Sequence, residues 1–126
     1  MTSFLAFDFG VKRTGVASGN RLLASATPLP TISETGVARM DRIGQLVKEW
    51  RPDGLVVGVP YHPDGAPHDL TAMAQKFGRQ LFGRFILPVF EVDERYSTTE
   101  AHSFGAKDPD AAAACIILEQ FLRSLR

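Results

Sequence analysis

The sequence predicts an α/β fold, a five-stranded mixed sheet with helices on both faces. Three observations lead to the sheet and its layers. Three short apolar runs open the chain with only turn signals between them, the pattern of an antiparallel meander. Apolar strand-like runs then alternate with segments of helical period, the pattern of parallel strands joined by crossover helices. The size, 126 residues with 44% hydrophobic and 22% charged, suits one domain spanning residues 1–126.

Each element has a local reason. Phe4-Leu5-Ala6-Phe7-Asp8-Phe9-Gly10 is an apolar run ended by glycine and broken by Asp8. Gly15 to Gly19 and Leu22 to Thr27 read as the next two strands, separated by the turn signal Gly19-Asn20. Pro28-Leu29-Pro30 imposes an extended segment. Val37, Met40, Ile43, Leu46, Val47 and Trp50 keep a helical period, and Pro52-Asp53-Gly54 stops it. Leu55-Val56-Val57-Gly58-Val59 has the continuous β-branched character of a buried strand. A loop rich in Pro, Gly and His follows, from Tyr61 to Pro67. Leu70, Met73, Ala74, Phe77, Leu81 and Phe85 mark a second helix, and Pro88 to Val92 a fifth strand. Ser97-Thr98-Thr99-Glu100 has capping-box spacing and predicts a helix start. Asp108 and Pro109 predict another, with Asp108 as cap and Pro109 in the first turn.

Composition excludes several classes. Fourteen basic residues offset fourteen acidic ones, so no strongly basic coat for nucleic acid exists, although a local basic face remains open. The single cysteine, Cys115, forms no internal disulfide, and three scattered histidines do not complete a zinc site with it. No apolar run reaches membrane-spanning length and no signal-peptide pattern opens the chain. The expectation is a reduced, soluble, cytoplasmic protein without a membrane partner.

Three acidic positions stand out. Asp8 sits inside an apolar strand, where a carboxylate costs several kcal/mol unless paired, protonated, held by backbone amides or bound to metal. Asp93-Glu94 closes the last strand, either as an ordinary charged strand end or as part of a ligand crevice. Asp110 lies in a first helical turn, where the helix dipole alone favours it. Were the three to converge, they would repel one another until a cation intervened. An all-oxygen set suits Mg²⁺ or Mn²⁺, and such ions activate water against a phosphodiester. Asp8-Phe9-Gly10 to Gly15 also forms a D-x-G-x₄-G pattern with Lys12 and Arg13 in its turn. The glycines permit a tight turn and close approach of backbone to phosphate.

These residues resemble the YqgF family, also called RuvX. The resemblance rests on Phe7-Asp8-Phe9-Gly10, Lys12-Arg13, Gly15-Val16-Ala17, Pro28-Leu29-Pro30-Thr31-Ile32 and Lys48-Glu49-Trp50. Val56-Val57-Gly58-Val59-Pro60, Asp64-Gly65, Lys76-Phe77 and Gly83-Arg84-Phe85 agree in order. So do Asp93-Glu94-Arg95 with Ser97-Thr98, and Asp110 with Ile117-Leu118-Glu119. The chain departs from the family pattern at Ala111, at Tyr61-His62, and in a short Ser103 to Pro109 connection whose one cation is Lys107.

The resemblance implies a ribonuclease H-like, Holliday-junction-resolvase-like nuclease that matures the 5′ end of the precursor of 16S ribosomal RNA. It implies that Asp8, Glu94 (or its neighbour Asp93) and Asp110 are the catalytic and metal-binding carboxylates. Arg95 would orient them or hold a phosphate. Lys12, Arg13, Lys76, Arg79 and Arg84 are the further candidates for substrate contact. The alternatives are a resolvase of branched DNA and a non-catalytic nucleic-acid-binding scaffold. An actin-like ATPase shares the D-x-G-x₄-G pattern but needs two such lobes.

Overall fold

A computed structural model of the chain describes residues 2–94 and 107–125. The expected helix start at Ser97 lies outside these residues. So does Arg95.

The elements run β1 (Ser3–Phe9), β2 (Thr14–Asn20), β3 (Ser25–Ile32), α1 (Gly36–Trp50), β4 (Gly54–Pro60), α2 (Thr71–Phe85), β5 (Val89–Glu94) and α3 (Pro109–Ser124). The five strands form one sheet in the order β3-β2-β1-β4-β5. The β1–β2 and β2–β3 pairs are antiparallel, and the β1–β4 and β4–β5 pairs are parallel. The meander followed by crossover strands is the predicted topology.

Strand alternation sends residues of β1, β2 and β4 to two cores. Leu5, Phe7, Val16, Leu55 and Val57 pack with Ile43 and Leu46 of α1 and Phe77 and Leu81 of α2. Phe4, Ala6, Ala17 and Val56 pack with Ala114, Ile117, Leu118, Phe121 and Leu122 of α3. Helices α1 and α2 therefore cover one face, and α3 covers the other. Cys115 packs against the α3 core, and burial raises its thiol pKa to about 11, as for an inert packing residue.

One boundary differs from the sequence reading. Leu22 and Leu23 are not in a strand but in the turn, 84% and 76% exposed. The strand β2 runs on through Asn20, whose side-chain oxygen accepts the Leu22 amide at 2.7 Å. Ala24, at φ 54°, ends the turn, so β3 begins at Ser25 and absorbs Pro28-Leu29-Pro30. Both prolines are tolerated because β3 is an edge strand.

Candidate active site

Asp8 is at the carboxyl end of β1, on the α3 face by alternation from Phe4 and Ala6. Its neighbours on both flanking strands lack side chains. Gly15 is its register partner on β2. On β4, Phe7 pairs with Val57, which places Gly58 beside Asp8.

Each glycine makes room for something specific. A Cβ at Gly15 would fall 1.9 Å from the carbonyl oxygen of Asp110. The first turn of α3 thus lies directly on β2, and only glycine permits it. A Cβ at Gly58 would fall 2.8 Å from Glu94 Oε2 and 2.4 Å from Ile117 Cδ1. Strands β1 and β5 are two spacings apart, roughly 10 Å. The Glu94 carboxyl crosses that gap over the bare backbone of Gly58 and hydrogen-bonds with Asp8. Glu94 is 6% exposed, whereas Asp93 points to the other side of β5 and is exposed. Of the two candidates at this strand end, Glu94 is the one that meets Asp8.

Asp110 arrives from α3. Asp108 caps that helix by accepting the Ala111 amide at 3.1 Å, with Pro109 in the first turn, as the sequence predicts. The other Asp108 oxygen accepts the Thr31 hydroxyl at 2.7 Å and ties the helix start to β3. Burial first, then the negative charges of Glu94 and Asp110, raise the Asp8 pKa from 3.8 to about 8. Stabilisation of the carboxylate by backbone amides would shift it the other way.

The Asp110 carboxylate pairs with Arg13, Nε to Oδ2 at 3.0 Å. Among the described residues, no three His, Cys, Asp or Glu side chains are grouped closely enough to hold a metal ion. The donor chemistry nonetheless fits a hard divalent cation. The set is all oxygen, and the proton retained by Asp8 stands where a cation would relieve the same repulsion. A cleft of about 380 Å³ adjoins Asp110, lined by Arg13, Thr31, Ser33, Lys107 and Asp108.

The remaining sequence candidates separate. Lys12 and Arg13 lie in the exposed turn between β1 and β2, beside the carboxylates. Gly10 serves that turn, since a Cβ there would fall 2.5 Å from the Arg13 carbonyl oxygen. Lys76, Arg79 and Arg84 are on α2, in the layer across the sheet from α3. Arg84 donates to Asp41 of α1 at 2.7 Å, and Arg79 lines a groove at the β5 edge with Phe82 and Glu91. Two contributors escaped the sequence reading. Gly58 carried a signal, a glycine interrupting a β-branched run, but was not connected to Glu94. Arg39 of α1 carried none. It looks like an ordinary polar helix position, yet it is 6% exposed.

Among the described residues, no helix is long and apolar enough to cross a membrane. The model of the RuvX family, described as Holliday junction resolvase, matches residues 2–124. A Polaromonas sp. protein named "Putative pre-16S rRNA nuclease" is 66% identical over 125 residues, covering 99% of this chain and 91% of the relative. An Albidiferax ferrireducens protein of the same name is 65% identical, covering 99% and 80%. Among solved structures, Thermus thermophilus RuvC in complex with a Holliday junction substrate superposes with a TM-score of 0.57. That match is 16% identical and covers 99% of this chain and 96% of RuvC, so it speaks for the ribonuclease H-like fold. Sheet order, the flanking helices and 65–66% identity over 99% of the chain agree: the chain belongs to the RuvX family.

Proposed function

We propose that this chain is a metal-dependent nuclease that hydrolyses phosphodiester bonds of structured RNA in the cytoplasm, with the precursor of 16S ribosomal RNA as its substrate. The observation that carries the reading is the Asp8–Glu94 contact with Asp110 beside it. Two flanking glycines make that gathering of charge possible. Such an arrangement disfavours the folded state near neutral pH, and a chain without a use for it has no reason to keep it. The substrate comes from the relatives' names.

Asp8, Glu94 and Asp110 would hold Mg²⁺ or Mn²⁺. Bound there, the ion supplies Lewis acidity to the phosphoryl oxygen and lowers the pKa of water. Arg13 neutralises Asp110 in the protein alone. Its side chain is 67% exposed, so the pair is weak and readily exchanged for a phosphate oxygen. Lys107 adds positive charge at the cleft beside Asp110, and Lys12 precedes Arg13 in the exposed turn. Zero net charge limits the electrostatic contribution to this local footprint.

The test is incubation of the protein with labelled precursor ribosomal RNA and, separately, a four-way DNA junction, in Mg²⁺ or Mn²⁺. The RNA is cut, and Asp8→Asn and Asp110→Asn each lower the rate by at least ~100-fold, the scale of losing a preorganised electrostatic group. Full activity in either variant, or in excess EDTA, would sink the assignment. Cleavage of the junction alone would make the chain a resolvase.

A further inference from the structure

Arg39 is a buried cation, and among the described residues no carboxylate pairs with it. Burying a guanidinium is costly, and that cost lowers its pKa from the usual value. Its donors go to two backbone carbonyls. One amino group donates to the Val11 oxygen at 2.7 Å, and Nε donates to the Glu34 oxygen at 3.2 Å. The guanidinium carbon also lies 4.8 Å from the centre of the Phe9 ring. Phe9 in turn packs on Phe77 of α2, ring centres 4.9 Å apart.

One side chain thus joins four segments: the end of β1 just after Asp8, the turn between β1 and β2, the approach to α1, and α1 itself. The turn is otherwise thinly supported. Val11, Lys12 and Arg13 are all exposed, and Val11 is 54% exposed although apolar. A hydrophobic contact cannot hold such a turn, whereas a charge-assisted bond to its carbonyl can.

We infer that Arg39 is a positioning residue: by anchoring Val11 and Phe9 it holds the Gly10–Arg13 turn so that Lys12 and Arg13 are presented to substrate phosphate beside Asp8 and Asp110. The presentation to phosphate rests on the nuclease reading; the anchoring of the turn does not. Arg39 is too buried to meet the substrate. Its effect falls on grip, through Kd and KM, and not on the chemical step.

Two measurements separate these parts. Trypsin cuts after Lys12 and Arg13 only when the turn opens, so the nicking rate at low protease reads its local stability. RNA affinity is measured with a precursor ribosomal RNA fragment in Ca²⁺, and KM and kcat in Mg²⁺. Arg39→Met keeps the stem and loses the fork. It should nick at least ~10-fold faster and bind RNA ~10-fold more weakly, the scale of one charge-assisted hydrogen bond, with kcat within ~3-fold. Arg39→Lys keeps the charge and loses the fork, and should fall between Arg39→Met and wild type. Nicking of Arg39→Met at the wild-type rate overturns the anchor. Faster nicking with unchanged RNA affinity overturns the link to grip, as does a loss confined to kcat. If Arg39→Met does not fold, Arg39→Lys decides: nicking at the wild-type rate overturns the anchor. A wild type that binds no RNA defeats the nuclease reading and the link to grip, while the order of nicking still decides the anchor.

Discussion

Asp8→Asn should turn a pH-dependent protein into a pH-insensitive one. The folded protein keeps the Asp8 proton up to about pH 8, whereas an unfolded chain releases it near 3.8. Between those values folding takes up a proton. Stability is therefore highest at low pH, falls as pH rises through the window, and levels off above about 8. One proton fully taken up corresponds to about 1.4 kcal/mol per pH unit. A chain of this length has an unfolding entropy near ~0.26 kcal/mol/K, so the wild-type melting temperature should fall by about 5 °C per pH unit at the steepest. The proton belongs to the Asp8–Glu94 pair, and an Asn amide donates to Glu94 much as the protonated Asp does. The variant should thus match wild type near pH 5 and exceed it by pH 8. The assay is calorimetric unfolding of both proteins at pH 5, 6, 7 and 8 in the presence of a chelator. Profiles that run parallel would refute the reasoning. So would a variant less stable by about 1–3 kcal/mol throughout, the cost expected if Asp8 served as a structural hydrogen-bond acceptor.

Mn²⁺ should raise the wild-type melting temperature logarithmically with concentration, and Asp8→Asn should lose most of that rise; an equal response in both would remove Asp8 from the ion's ligands. Gly15→Ala places a methyl 1.9 Å from the Asp110 carbonyl oxygen and should cost at least ~2 kcal/mol in chemical denaturation, with activity lost through displacement of α3; near-wild-type stability would contradict the packing. Thr14→Val should stabilise by about 1 kcal/mol, because the Thr14 hydroxyl oxygen is buried without a partner among the described residues; a drop in melting temperature would show that the hydroxyl is satisfied in solution. Alanine at Lys12 and Arg13 should weaken RNA binding and flatten its salt dependence more than alanine at Arg79 and Arg84; the reverse order would carry the substrate around the sheet onto α2.

What the sequence makes legible follows from which forces act along the chain and which act across it. Asp8 is visible because a carboxylate contradicts its apolar run, and the contradiction needs no tertiary knowledge. The cap at Asp108 and Pro109 is visible because capping is a local bond, here to an amide three residues on. Leu22 and Leu23 mislead for the same reason. An apolar pair resembles a strand, but the Asn20 side chain bonding the Leu22 amide and the left-handed Ala24 make a turn of it. Gly15 looks like the end of a phosphate loop, and its actual neighbour is a helix nearly a hundred residues away. Arg39 is silent in the sequence because its reason for burial is distributed over Val11, Glu34 and Phe9, none of which is marked.

The site divides the same way. The charges that would do chemistry announce themselves one at a time, each with an ordinary structural alternative. The glycines that let those charges meet are legible only once register is known, because a missing side chain has meaning only through what fills its place. Asp8 between two bare neighbours, Gly15 and Gly58, is the arrangement that weighs against the ordinary alternatives. An ordinary strand end would spread its carboxylates apart to lower their repulsion. This fold removes side chains to bring them together, and keeps the Asp8 proton on up to about pH 8 as the consequence. A charge cluster that the backbone is shaped to permit, at the carboxyl ends of parallel strands, is better explained by the cation and phosphate it would bind than by stability, which it lowers.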